Sequence, residues 1–168
     1  QPDPRKPATG ELRADRMDLA ALSQIAHRVP LGPGVHRLLE RHEPRGLVES
    51  LQATWQAPSG DTALPERYRV KAQLSGLSVV ARDGLPGVRD LSAQAEFDQD
   101  GGRAVLGMQD GALDLPDVFE ERELAMAQLN AELRWQVKGD KIAVQLPQLR
   151  FANADARGEV QLQWQTAD

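Results

Sequence analysis

The residues in this 168-residue chain best suited to chemistry are three histidines, His27, His36 and His42, and a run of carboxylates between Asp98 and Glu123. All three histidines fall in one stretch of helical spacing. His36 and His42 are six residues apart, which puts them on different faces of a helix, so they read as seam or surface histidines rather than as a metal pair. Asp98, Asp100 and Gly101 resemble the opening of a calcium loop. The twelfth position of such a loop needs a bidentate glutamate, and Gln109 stands there. A tight turn between strands is the better reading. Asp110, Asp114, Asp117, Glu120, Glu121 and Glu123 could hold a cation or supply a paired acid and base. As a solvated strand edge they would instead discourage edge-to-edge aggregation. Trp55, Trp135 and Trp164 could stack on sugars, but each ends an alternating strand, where packing in core or rim suffices. No nucleophile elbow, phosphate loop, dinucleotide fingerprint or His-Glu-x-x-His occurs. There is no cysteine for a thiolate zinc site or a disulfide. The sequence gives no reason to expect an enzyme, a metal or a cofactor.

The elements that carry these residues are mostly strands. Leu129, Ala131, Leu133, Trp135 and Val137 alternate with Asn130, Glu132, Arg134 and Gln136, the period of a half-buried β-strand. Gly139-Asp140 then supplies a two-residue hairpin loop, and Ile142, Val144 and Leu146 alternate in the return strand. After Pro147 the chain is again extended at 149–153, and Val160, Leu162 and Trp164 share a face in the last run. Earlier, Leu51, Ala53 and Trp55 alternate, as do Tyr68, Val70, Ala72 and Leu74, with a slip at Gly76 before Leu77 and Val79. Leu91, Ala93, Ala95 and Phe97 follow, then a turn at 98–102, then Ala104, Leu106 and Met108, with a short extended piece at 112–115. Residues 57–66 and 82–87 have loop chemistry.

The first part of the chain differs. Residues 1–9 form a proline-rich, charged leader, and a first strand runs from Gly10 to Met17. Asp18 sits as an N-cap before Leu19, Leu22, Ile25 and Val29 at helical spacing, stopped by Pro30. A second helix from Pro33 carries Val35, Leu38 and Leu39. Residues 18–43 thus predict a helical hairpin inserted into a single domain spanning 10–168.

Hydrophobic residues make up 40% of the chain and aromatics 4%, so the apolar face must be built mainly from Leu, Val and Ala. The net charge is −5 with basic residues scattered among acids, which argues against nucleic acid. No apolar run approaches the about 18 residues a membrane span requires. The chain opens on Gln1-Pro2 rather than Met and reads as a piece of a longer polypeptide. Leu51–Trp55, Leu91–Phe97 and Leu129–Trp135 share a Leu-x-Ala start and an aromatic finish at a period near 40, which suggests stacked β-units. Gly76, Gly107 and Pro147 interrupt the alternation and predict bulges that curl the sheet. The expected fold is therefore mainly β: a long, curved antiparallel sheet, an open groove or half-barrel, with a helical hairpin near its N-terminus.

Four segments occur in an order that resembles a known family. They are Glu11-Leu-Arg-Ala-Asp-Arg-Met-Asp-Leu-Ala-Ala-Leu22, Pro44-Arg-Gly46, Leu113-Asp-Leu-Pro-Asp-Val-Phe119 and Leu149-Arg-Phe-Ala-Asn-Ala-Asp-Ala-Arg-Gly158. Together they resemble the central domain of YhdP-like proteins, relatives of AsmA and TamB. The resemblance implies a periplasmic segment of an inner-membrane-anchored protein of Gram-negative bacteria. It also implies a β-groove carrying phospholipid toward the outer membrane, with no catalytic residues. On that reading acyl chains lie against Leu51, Ala53, Leu74, Leu91, Leu129, Ala131, Leu133, Ile142, Val144 and Leu162, and neighbouring β-repeats of the same full-length chain continue the groove. Two other readings stand beside it. One is a structural or interaction module whose helical hairpin fills the trough. The other, resting on the acidic patch and the tryptophans, is a carbohydrate-handling domain.

Overall fold

The computed structural model describes residues 8–26, 41–57, 67–82, 86–116, 121 and 123–166. Its strands are β1 (Ala8–Asp18), β2 (Arg45–Ala57), β3 (Arg67–Val79), β4 (Gly87–Asp98), β5 (Gly101–Asp114), β6 (Glu123–Lys138), β7 (Lys141–Ala152) and β8 (Arg157–Gln165), with one helix, α1 (Leu19–Ala26), after β1. They form a single eight-stranded sheet in sequence order, every neighbour antiparallel. At the usual inter-strand spacing the sheet extends about 34 Å from β1 to β8.

Local chemistry explains the turns. Gln99 and Asp100 join β4 to β5, and the Asp98 side chain accepts hydrogen bonds from the backbone N–H of Asp100 (2.9 Å) and Gly101 (3.2 Å). The supposed half of a calcium loop is thus a side-chain-closed turn. Gly139, at φ 59°, takes the left-handed position in the β6–β7 hairpin, where a side chain would be strained. Asp18 caps α1 as expected: its Oδ1 accepts from the N–H of Ala20 (2.8 Å) and Ala21 (3.2 Å). The second helix expected from Pro33 lies outside the described residues except for Arg41 and His42, which are helical, so a helical hairpin is not seen. Residues 1–7 of the leader also lie outside them, and β1 begins at Ala8, before the expected Gly10. The piece expected at 112–115 is the end of the continuous strand β5.

The bulges fall only partly where glycine and proline predicted. Register shifts flank Gly76 in β3 and Pro147 in β7. At Gly107 the ladder is regular; the irregularity lies further on, between Arg89 and Leu91 of β4 opposite Asp110 of β5. Asp90 (φ 59°) and Asp110 (φ 53°) take the left-handed conformation there, and Arg16 (φ 52°) does so in β1. Asp tolerates that region better than most residues because its short side chain can bond locally. At these breaks the apolar positions jump by three residues rather than two, as from Ala14 to Met17, Leu74 to Leu77 and Val88 to Leu91. The extra residue keeps the same face apolar on both sides of the bulge.

A core cluster of Leu91, Met108, Met126, Leu129 and Ala131 is buried, with Leu77, Leu106, Leu113, Leu149 and Phe151 packed around it. Val48, the most deeply buried side chain at 1% exposure, sits near the end of the sheet where α1 packs on β1 and β2.

Candidate functional site

Following the register across the strands assembles one face from scattered residues, because side chains opposite one another in a ladder share a face. One row runs Met17, Val48, Leu74, Ala93, Leu106, Ala131, Leu149, Val160, apolar in all eight strands. A second runs Leu12, Ala53, Val70, Phe97, Gly102, Trp135, Val144, Trp164. Between them lie Ala14, Leu51, Ala72, Ala95, Ala104 and Leu133. A fourth row, Leu77, Leu91, Met108, Leu129 and Phe151, ends on Gly158 of β8. The result is a stripe of hydrocarbon perpendicular to the strands. Three rows of it hold large side chains, and the row between holds alanine in four of its six positions.

All ten sequence-derived groove candidates lie on this face. Leu91 (8% exposed), Leu129 (5%) and Ala131 (6%) are buried in the core cluster. Leu51, Ala53, Leu74, Leu133 and Val144 are half-buried. Ile142 and Leu162 are exposed, and beside Leu162 so are Val160 and Trp164. The hydrocarbon is therefore closed over by its own packing near β4–β6 and open toward β8. Alternation alone determines which residues share the face; which of them are covered depends on long-range packing, which alternation does not encode.

The other face is polar and ion-paired. Lys71 pairs with Glu96 (3.7 Å), Arg134 with Glu132 (2.6 Å) and Arg150 with Glu159 (3.5 Å), all well exposed and worth little to stability. A depression of about 830 Å³ lies on this face among Asn130, Glu132, Gln148, Arg150 and Glu159. Its lining mixes these amides and charges with apolar Val105, Leu106 and Phe151 and holds no nucleophile or histidine.

Trp55, Tyr68, Phe97, Trp135 and Trp164 stand toward the β2–β3, β4–β5 and β6–β7 connections, and Phe151 toward the opposite strand ends. Tyr68 meets Phe97 edge-on at 6.4 Å, and Phe97 lies 6.1 Å from Trp135. Trp55 covers Gly10 on the neighbouring strand, and Phe151 covers Gly158; a Cβ on either glycine would run into the ring. Burial, with Asp98 and Asp100 nearby, raises the Tyr68 phenol above its usual 10.0.

The histidine and carboxylate readings resolve simply. His42 is 6% exposed; its backbone carbonyl accepts from the Val80 N–H (3.2 Å) and its Nδ1 lies 3.2 Å from the Val80 carbonyl. It tethers the segment before β2 to the end of β3. His27 and His36 lie outside the described residues, as do Asp117 and Glu120. Glu123 holds Arg89 at 2.6 Å. Among the described residues no cluster of three or more His, Asp or Glu could hold a metal, and no helix is long and apolar enough to cross a membrane.

No curated protein and no solved structure matches the chain. The family described as YhdP protein matches residues 1–168, the whole chain. Membership points to the bacterial envelope and to the AsmA-like lipid-transport proteins. With the resemblance of its four segments, its open antiparallel sheet and its family match in agreement, the chain belongs to the YhdP family.

Proposed function

We propose that this chain is a non-enzymatic, periplasmic segment of an inner-membrane-anchored envelope protein. Its apolar face would hold phospholipid acyl chains in passage between the inner and outer membranes, supporting the outer-membrane permeability barrier. The observation that carries the proposal is the apolar stripe, unbroken across eight strands in the direction the sheet grows. Acyl carbon resting on such a stripe gains roughly 0.8 kcal/mol per buried methylene, so a few methylenes offset a substantial ordering cost. Neighbouring apolar rows keep that gain nearly level from strand to strand, and sliding then needs no chemistry. Neighbouring β-repeats of a full-length chain would continue the stripe beyond β1 and β8, whose outer edges have no partner strand among the described residues.

A second reading, a structural module with a filled core, is favoured by the buried cluster around Met108 and Leu129. It is opposed by the exposure of Val160, Leu162 and Trp164. It is opposed too by the position of α1, whose main contacts are with β1 and β2. Native mass spectrometry of the purified chain decides between them. Co-purified phospholipid, lost in Leu133→Arg without unfolding, is expected for the lipid path. A lipid-free mass together with unfolding of Leu133→Arg would favour the filled core.

A further inference from the structure

We infer that a bound lipid lies on this face in one orientation, with an anionic headgroup at the border formed by the β2–β3, β4–β5 and β6–β7 connections and its acyl chains directed toward the α1 side. The inference rests on the acyl-binding reading above and adds polarity to it. Two independent asymmetries support it.

The first is aromatic. All three tryptophans and the single tyrosine of the chain, Trp55, Tyr68, Trp135 and Trp164, stand on the apolar face near this one border. Toward the opposite border of the same face, the described side chains of the core cluster and those packed against it, such as Leu77, Val88, Leu113, Leu124 and Met126, are hydrocarbon or thioether. Trp and Tyr have an apolar ring and a hydrogen-bonding tip, and they settle where hydrocarbon meets water or headgroups. A face that carries them on one side only has a defined hydrocarbon–headgroup boundary.

The second is charge. Beside the aromatic border, Arg67, Arg69, Lys138 and Lys141 balance Glu11, Asp98, Asp100 and Asp140 among the described residues. At the other ends of β4–β6, Asp90, Asp110, Asp114, Glu121 and Glu123 face one cation, Arg89, among the described residues. The corresponding ends of β1–β3 are mixed. A phosphate-bearing head meets a balanced border at the first and an acidic one at the second, so it is repelled only from the second.

The chain supplies its own probes. Its tryptophan emission reports the aromatic border, and since it contains no cysteine, Leu113→Cys carries a single bimane at the other; Leu124→Cys serves if the first variant is destabilised. The 168-residue chain is loaded with phosphatidylglycerol bearing a nitroxide either on the headgroup or at the acyl terminus. The headgroup label is expected to quench tryptophan several-fold more than the acyl label, with the order reversed for the bimane. Equal quenching at both borders, or the reverse pattern, overturns the orientation while leaving lipid binding intact. Absence of lipid uptake by either probe overturns the lipid-path reading itself and this inference with it.

Discussion

At the scale of single residues, exposure separates two groups of side chains that the sequence pattern treats alike. Leu129 and Leu162 both occupy apolar positions of alternating strands, yet Leu129 is 5% exposed and Leu162 52%. Leu129→Ala is expected to cost about 2–5 kcal/mol in denaturant titration, as core truncations do. Leu162→Arg is expected to stay within about 0.5 kcal/mol of the parent while reducing lipid retention. Tyr68 gives a second residue-level prediction. Its pKa is raised by burial first and by Asp98 and Asp100 next, so the folded state favours the neutral phenol. The stability this contributes is complete below pH 10.0, the unfolded value, and is lost as pH rises through the higher folded value. As the chain has one tyrosine, its phenolate absorbance should titrate above 10.0, and Tyr68→Phe should flatten the alkaline loss of stability. The tryptophans were readable at this scale: each closes an alternating run, so each had to sit at a strand end. That all of them stand at the same border followed only from the register.

At the scale of elements, the sheet depends on where its alternation breaks. Gly76 and Pro147 announced their bulges in the sequence, because neither residue fits a regular ladder. Gly107 misled, since a glycine with Ser92 opposite it, whose hydroxyl donates to the Gly107 carbonyl (2.9 Å), stays in register. The true break is made by Asp90 and Asp110, which composition does not mark as breakers. The signal was present in the spacing: Val88 to Leu91 and Met108 to Gly111 each step by three. If Asp110 is held left-handed by the ladder around it, Asp110→Gly should lie within about 0.5 kcal/mol of the parent. Asp110→Val, with a β-branched side chain at φ 53°, should cost about 1–2 kcal/mol in the same titration. The repeat of near 40 residues is likewise partly real. Leu91 and Leu129 share a row through Met108, and Phe97 and Trp135 through Gly102, so β4 and β6 are equivalent units. Leu51 of β2 falls in the row of Ala72 and Ala95 instead, through a regular ladder, so the first copy of the motif is not equivalent to the other two.

At the scale of the whole molecule, the antiparallel meander and its single helix-bearing end were legible because they follow from local patterns: period-two alternation, short turns and a capped helix. The extent of the exposed hydrocarbon was not, since it depends on how neighbouring rows cover one another. An eight-stranded sheet with one polar, ion-paired face and one hydrocarbon face has a surface that water covers poorly, and the proposed occupant is the hydrocarbon of a lipid. The direct measurement is photo-crosslinking in living cells of the protein that carries this sequence, with a photoreactive amino acid placed at Val144 or Leu162 on the apolar face and at Gln145 or Gln163 on the polar one. Phospholipid adducts are expected at Val144 and Leu162 and not at the glutamines; adducts at neither pair, or equally at both, would contradict a lipid path along this face.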